Sequence, residues 1–446
     1  MQSSKNLVSI LGEKHYTPGE FVDALGAPSF TSLLKSIQPL AVPCFRALLK
    51  AKMHYHRRGL NKRFSKGGWE IQSYTFTYRS QAVDGREIIL SGRVTFPGNK
   101  EEGVPHEVKT ISLHTHQAFF HPEWAPSQNL MFMPLKALWD SAVIEPDLQK
   151  WGINHGIEPD GGGSALHMAI QLADCAVAAL EVMRQHGVTL ATDGYTTNWG
   201  SSQGAFPALL FAKWYDTEAP QGFRDAFRLR ASFVAEGAIP LQELIPYTYR
   251  HPELIFMGHI PLTGYFKAFS PEQLGGYKPQ EFVPAWFTDT KYQVDGREIT
   301  FLDAVSHYYP EFTDPVVKKM NAMDQLVAPD MLTADGEVDV NSPKVRAWLA
   351  CLKKHNDVDN WTPSHSLYIA HSPADDMMPF ERVYDLYRTL SNDGRNAKVH
   401  MLSVPSMRFV PSGGMNPHFI IAFVGQILMA FVQNPEDMCK LYKSVR

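Results

Sequence analysis

Cysteine is nearly absent. The chain has four, Cys44, Cys175, Cys351 and Cys439, spread over 446 residues. None forms a C-x-x-C pair, which excludes the usual zinc and thiol-redox signatures. Cys175 lies inside an apolar helical pattern and reads as a buried core thiol. An excess of positive charge is missing too. The net charge is -4, and a nucleic-acid partner would need a basic patch or stripe, so none is expected. No run of about 18 apolar residues occurs, so no transmembrane helix is expected. Near the start, Leu7 to Leu11 is broken at once by Gly12-Glu13-Lys14. That is not a signal-type core, and the chain as written reads as cytoplasmic. Internal repeats and low-complexity tracts are also lacking. What is left is an ordinary globular composition, 44% hydrophobic and 20% charged. It can bury the core of one large domain with an insertion, or of two domains.

Periodicity divides the chain into four parts. Residues 1–65 read as a helical segment, from Phe21, Ala24, Leu25, Leu33, Leu34 and Ile37 at helical spacing. The basic run from Lys50 to Lys66 reads as its solvated face. Residues 66–239 begin with period two. Trp69, Ile71, Tyr74, Phe76 and Tyr78 mark one strand, Asp84-Gly85 a hairpin turn, and Ile88 to Phe96 a second strand. Val108 to Leu113 is a third. Strands and helices then alternate. Ala142 to Asp147 is a short strand and turn, Ser164 the cap of a long helix from Ala165, and Leu229 to Ala235 another strand. Such a rhythm predicts a mainly parallel sheet covered on both faces, behind an antiparallel hairpin. Residues 240–358 lose the rhythm and are dense in Phe, Tyr, Trp and Met, which predicts an all-helical cap over the sheet. Residues 359–446 resume it. Ser366 to Ala370 and Val399 to Leu402 read as strands, Glu381 to Leu390 as a helix, and Phe419 to Val432 as a closing helix.

The chemistry centres on Gly200-Ser201-Ser202-Gln203-Gly204, a G-x-S-x-G turn. Upstream, Asp193-Gly194 reads as a turn into a short strand. Downstream, Ala205 to Trp214 reads as an apolar helix. A sharp strand-to-helix turn throws its central Ser out at the top of a sheet, and its glycines avoid a clash as strand and helix close. A Ser hydroxyl needs a base to take its proton and an acid to orient that base. Asp375 follows a predicted strand, and His418 follows the last one. The order Ser, acid, His is the one found in the fold to which such a turn belongs. Read separately, Asp375 and His418 could each merely cap a helix. His114, His116 and His121 could suggest a metal, but no acid ligands stand at i, i+4 spacing, so no metal and no cofactor is expected.

With those residues in view, the chain resembles the α/β-hydrolases of the secretory-lipase and prolyl-oligopeptidase-like branch, from about residue 70 onward. The likeness rests on Gly200 to Gly204, on Asn356 to Pro363 with Trp361, on His418, and on His371 to Pro379, close to the family's H-G-x-x-D-D-x-V-P. Glu145-Pro146-Asp147 matches its strand-end P-D. The resemblance implies Ser202 as nucleophile, Asp375 rather than Asp376 as acid, and His418 as base. It implies an oxyanion hole built from the Gln203 N–H and a donor at Thr115 or His116. The chain departs from the pattern at His114-Thr115-His116-Gln117, where the family has His-Gly, and at Ser372 and Met378. The family is often secreted. The implied activity is a serine esterase on a small-molecule ester with an apolar group. The alternatives are a peptidase or amidase on the same triad, or an inactive hydrolase fold used for binding.

Overall fold

The computed structural model describes residues 6–26, 68–101, 104–115, 122–248, 265–294, 296–308, 326–375, 378–403, 418, 425, 429–440 and 443–445. One ten-stranded sheet organises it. Its strands are β1 (Leu7–Tyr16), β2 (Trp69–Gln81), β3 (Glu87–Asn99), β4 (His106–Thr115), β5 (Ser141–Pro146), β6 (Val188–Ser201), β7 (Leu229–Ala235), β10 (Ser366–His371), β11 (Val399–Ser403) and β12 (Lys443–Val445). A separate hairpin, β8 (Lys291–Val294) and β9 (Arg297–Thr300), completes the numbering. The sheet order is β1-β2-β3-β5-β4-β6-β7-β10-β11-β12. From β5 to β11 neighbouring strands are parallel, while β1, β2, β3 and β12 are attached antiparallel.

Both faces are covered, and strand alternation divides the core between them. Val234 and Ile369 point to the layer formed by the helices α2 (Ala165–Gln185) and α3 (Ala205–Thr217). Their neighbours Phe233, Ala235, Tyr368 and Ala370 point to the opposite layer, with Trp199 and Leu138. Ser164 caps α2 by accepting from the His167 N–H, as a hydroxyl at that position does. A stretch of α2 is apolar enough to cross a bilayer, but 67% of it is buried in the protein, so it is the core helix of the sheet.

Three expectations are corrected. Leu7–Tyr16 is not helical. It is an edge strand paired with β2, largely exposed, and it is held by main-chain hydrogen bonds rather than by an apolar face. The helix α1 (Pro18–Ala24) follows it, capped by Thr17; 27–67 lie outside the described residues. Asp193-Gly194 does not open a short strand: β6 spans 14 residues across it, and the pair sits in an irregularity of the β4–β6 pairing, between Leu190 opposite Val108 and Tyr195 opposite Thr110. A Cβ on Gly194 would lie 2.8 Å from the Lys109 carbonyl, beside a register shift between β4 and β6. The segment 240–358 is not all-helical. It holds α5 (Leu241–Thr248), α6 (Phe301–Tyr308) and α7 (Pro343–His355), α4 (Gln221–Phe227) having preceded it, but also the β8–β9 hairpin. Its Phe266, Phe282, Phe287, Phe301, Leu326 and Trp348 pack on each other as a core of their own.

Candidate active site

Ser202, Asp375 and His418 come together at the C-terminal edge of the parallel strands. Strand β6 ends at Ser201 and α3 starts at Ala205, so the turn between them takes three residues. Ser202 has φ 51°, a left-handed backbone that a non-glycine residue adopts only under constraint. The flanking glycines supply that constraint. A Cβ on Gly200 would stand 2.1 Å from the Gly204 carbonyl oxygen, and one on Gly204 would stand 2.2 Å from the Thr115 carbonyl oxygen. No side chain fits at either place, so the elbow closes only on glycine.

The Ser202 hydroxyl and His418 Nε2 are 2.8 Å apart. His418 Nδ1 and Asp375 Oδ2 are 2.7 Å apart. Because a carboxylate only accepts, the Nδ1–H donates to Asp375, and Nε2 presents its lone pair to the Ser202 O–H. Asp375 is itself held by its surroundings. Its N–H donates to the Ser372 carbonyl at 3.1 Å, and its Oδ1 accepts from the Met378 N–H at 2.9 Å. His371 ties down the same loop from Nε2 to the Met378 carbonyl at 2.6 Å. Burial alone would raise the pKa of Asp375. The charge and hydrogen bond of His418, with His371 and the Met378 N–H, hold it below the ordinary carboxylate range. All three side chains are buried. Asp376 lies outside the described residues.

Gln203 follows Ser202 in the first turn of the elbow. Thr115, opposite Gly200 in the β4–β6 pairing, is buried, and among the described residues its hydroxyl has no hydrogen-bond partner. His116 and His121 lie outside the described residues. His114 faces Glu145 across β4 and β5 at 3.3 Å. Its burial, and the nearby Lys136 cation, push its pKa down to about 3. Among the described residues no group of three or more His, Cys, Asp and Glu could hold a metal.

Three features near Ser202, Asp375 and His418 escape a reading of local pattern. A Cβ on Gly237 would meet the Ser202 carbonyl oxygen at 2.1 Å, so the end of β7 is pressed against the elbow. Glu236, just before it, is fully buried. Lys136 is buried with Nζ 3.2 Å above the centre of the Trp199 ring, beneath the elbow. The Ala-Glu-Gly-Ala spacing at a strand end is the one available signal for the first two. On the side of residues 240–358, Gly162 and Gly163 receive Tyr265 and Phe269, whose rings would meet a Cβ at 2.7 and 2.8 Å. Gly162 and Gln203 line one small cavity with Lys150, Trp151, Asp160 and Met168.

No protein-family model and no curated protein matches the chain. Solved structures do. A point mutant of the rice cell wall degrading esterase LipA from Xanthomonas oryzae matches with TM-score 0.59 at 14% identity, over 98% of this chain and 99% of that one. A ligand-bound form of the same esterase matches with TM-score 0.57 at 14% identity, over 96% and 98%. Candida antarctica lipase A in its closed state matches with TM-score 0.50 at 14% identity, over 75% and 72%. At these identities the likeness is one of fold.

Proposed function

We propose that this chain, an α/β-hydrolase by fold, is a serine esterase that cleaves carboxylic esters of small to medium apolar substrates through an acyl-enzyme. The observation that carries the reading is the hydrogen-bonded chain from Ser202 through His418 to Asp375, with the Ser on a left-handed elbow. In this reading Ser202 Oγ attacks the ester carbonyl carbon as its proton passes to His418 Nε2. Asp375 keeps the imidazole in the required tautomer and stabilises the imidazolium. The Gln203 N–H and a donor from the Thr115–His116 loop bind the oxyanion. The intermediate collapses, His418 gives its proton to the leaving alkoxide, and the acyl group stays on Ser202. Water, deprotonated by the same His418, then releases the acid and restores the Ser202 hydroxyl.

Ester rather than amide is favoured by the names of the structural neighbours, an esterase and a lipase. An apolar substrate is favoured by the aromatic residues of 240–358, of which Tyr265 packs on Gly162, a residue that lines the small cavity together with Gln203. In this reading residues 240–358 form the cap that sets substrate size.

The test is a panel of p-nitrophenyl esters set against peptide amides, with fluorophosphonate labelling. Ser202→Ala is expected to lower kcat on the order of a million-fold, because a triad acts as a unit, and to abolish labelling. Ser201→Ala should do far less. Retention of a tenth of the activity by Ser202→Ala would rule Ser202 out as nucleophile. Faster turnover of amides than esters would move the activity to a peptidase. An unlabelled wild type would leave only a binding fold.

A further inference from the structure

One carboxyl group beside the triad has no place in the mechanism above. Glu236 follows the last residue of β7. It is fully buried, and among the described residues neither of its carboxyl oxygens has a hydrogen-bond partner. Its backbone is left-handed, φ 49°, and its N–H donates to the Ala370 carbonyl of β10 at 3.0 Å. On one side its neighbour Gly237 abuts the carbonyl of Ser202. On the other, its Oε2 lies 3.3 Å from where a Cβ of Gly425 would stand. Gly425 is seven residues beyond His418 on the same segment. The backbone at Glu236 thus adjoins the elbow through Gly237 and the strand leading to Asp375 through Ala370, while its carboxyl group lies against Gly425, beyond His418.

A carboxylate in such a place, without donors, carries a heavy desolvation penalty, so the resting group is the neutral acid. The negative charge of Asp375 acts in the same direction, after burial itself, and keeps the Glu236 pKa well above the ordinary range. Two carboxyl groups that feel each other in a buried site do not both ionise readily; their protons belong to the pair.

Taking the triad as read above, we propose that Glu236 is a second acid for His418, neutral while Asp375 carries the charge and ionised when Asp375 cannot. Strands β7 and β10 are parallel neighbours in register, Ala235 opposite Ala370. Each delivers one buried carboxyl to the same edge, and the imidazolium that forms on His418 is the cation both can stabilise. Removing Asp375 lifts the repulsion on Glu236; burial still favours the neutral acid, so Glu236 gives its proton to solvent only toward the upper end of the pH range. Its carboxylate then supplies the negative charge behind the imidazole. Glu236 acts on Ser202 only through His418, so it is a positioning residue.

The experiment compares wild type, Asp375→Ala and the double variant Asp375→Ala/Glu236→Gln on p-nitrophenyl butyrate from pH 6 to 9, with thermal unfolding to confirm each fold. Asp375→Ala is expected to lose about 10,000-fold in kcat, as loss of a triad acid does. The double variant should lose a further factor of about 10 to 100, the effect of one nearby opposite charge on a titrating group. The residual activity of Asp375→Ala should rise with pH as Glu236 ionises, and the double variant should lack that rise. A loss of about 10,000-fold in Asp375→Ala with equal activity in the double variant at every pH would overturn the proposal while leaving the triad in place. A loss of less than about tenfold in Asp375→Ala, with Glu236→Gln adding nothing, would instead overturn the triad. If Ala at 375 prevents folding, Asp375→Asn with and without Glu236→Gln is read by the same criteria.

Discussion

Gly204→Ala adds one methyl group to the helix side of the elbow. Gly204 has φ -81° and ψ -11°, a right-handed backbone that alanine adopts without strain, so the effect is purely steric. The new Cβ would lie 2.2 Å from the carbonyl oxygen of Thr115 and 3.0 Å from its carbon. Ordinary van der Waals contact begins near 3.4 Å, so the two backbones have to separate by about 1 Å. Thr115 opens the loop expected to hold the second oxyanion donor, and Gly204 belongs to the turn that aims Ser202 and the Gln203 N–H. A displacement of about 1 Å between a nucleophile and its supporting groups costs about 100-fold in rate, the lower end of the loss for one oxyanion donor. The expected result is a fall in kcat of at least about 100-fold with a smaller change in KM. Overpacking should lower stability by about 1–3 kcal/mol, so the protein remains folded. Gly222→Ala is the control. Gly222 lies on α4, and a Cβ there meets nothing within 4 Å. It should leave kcat unchanged and stabilise by about 0.5–1 kcal/mol. Steady-state kinetics on a p-nitrophenyl ester and urea unfolding read both variants. A Gly204→Ala enzyme with kcat within about threefold of wild type would refute the argument that Thr115 and the elbow meet without slack.

Two further outcomes follow from other parts of the structure. Burial raises the pKa of Asp147 from 3.8 to about 6, against the hydrogen bonds from Ser127 and Ser91 and the Arg93 charge; the folded state therefore holds the proton more tightly than the unfolded chain, and this contribution to stability is complete below pH 3.8 and lost by pH 6, about 3 kcal/mol in all. Asp147→Asn should flatten the pH dependence of urea unfolding between pH 4 and 6, leaving the share of Asp174, which is raised to about 6 likewise, and an unchanged slope would show that Asp147 does not titrate there. Tyr265→Ala should open the cavity wall at Gly162 and shift preference toward longer acyl chains, with labelling of Ser202 by a small fluorophosphonate retained; an unchanged chain-length profile would remove Tyr265 from the specificity surface.

How far the fold can be read depends on whether its forces are local. β2 and β3 are legible because Tyr74, Phe76, Tyr78 and Leu90 alternate toward a buried face around an Asp84-Gly85 turn. β1 is not. It contributes edge hydrogen bonds to β2 while most of its side chains face solvent, and main-chain pairing leaves no trace in composition. The β8–β9 hairpin shows a different failure. Val-Asp-Gly-Arg occurs at Val83–Arg86 and again at Val294–Arg297. The first stands between apolar strands and reads as a hairpin. The second sits among helical patterns and is lost in them, although Gly296 has φ 75°, as the turn needs.

The same distinction runs through the site. Ser202 and Gly200 are visible because Gly200 meets the carbonyl of Gly204, a near neighbour in sequence, so the sterics impose a fixed spacing; Gly204 completes that spacing, although the group that excludes its side chain, the Thr115 carbonyl, is distant in sequence. Asp375 and His418 are visible by a weaker rule, that each follows a strand and that they come in the required order. Gly237 obeys the same steric law as Gly200, a Cβ 2.1 Å from a carbonyl oxygen, yet its partner Ser202 is 35 positions away and no local spacing betrays it. Glu236 and Lys136 are harder still. A charged residue is ordinarily a solvated one even between apolar neighbours, and only the packing of β10 and Gly425 around Glu236, or of Trp199 against Lys136, shows them to be buried. A buried carboxyl without a partner destabilises a fold, so chain position alone would argue against expecting one at 236. Its presence next to Asp375 is therefore evidence about the site that only the three-dimensional arrangement could supply.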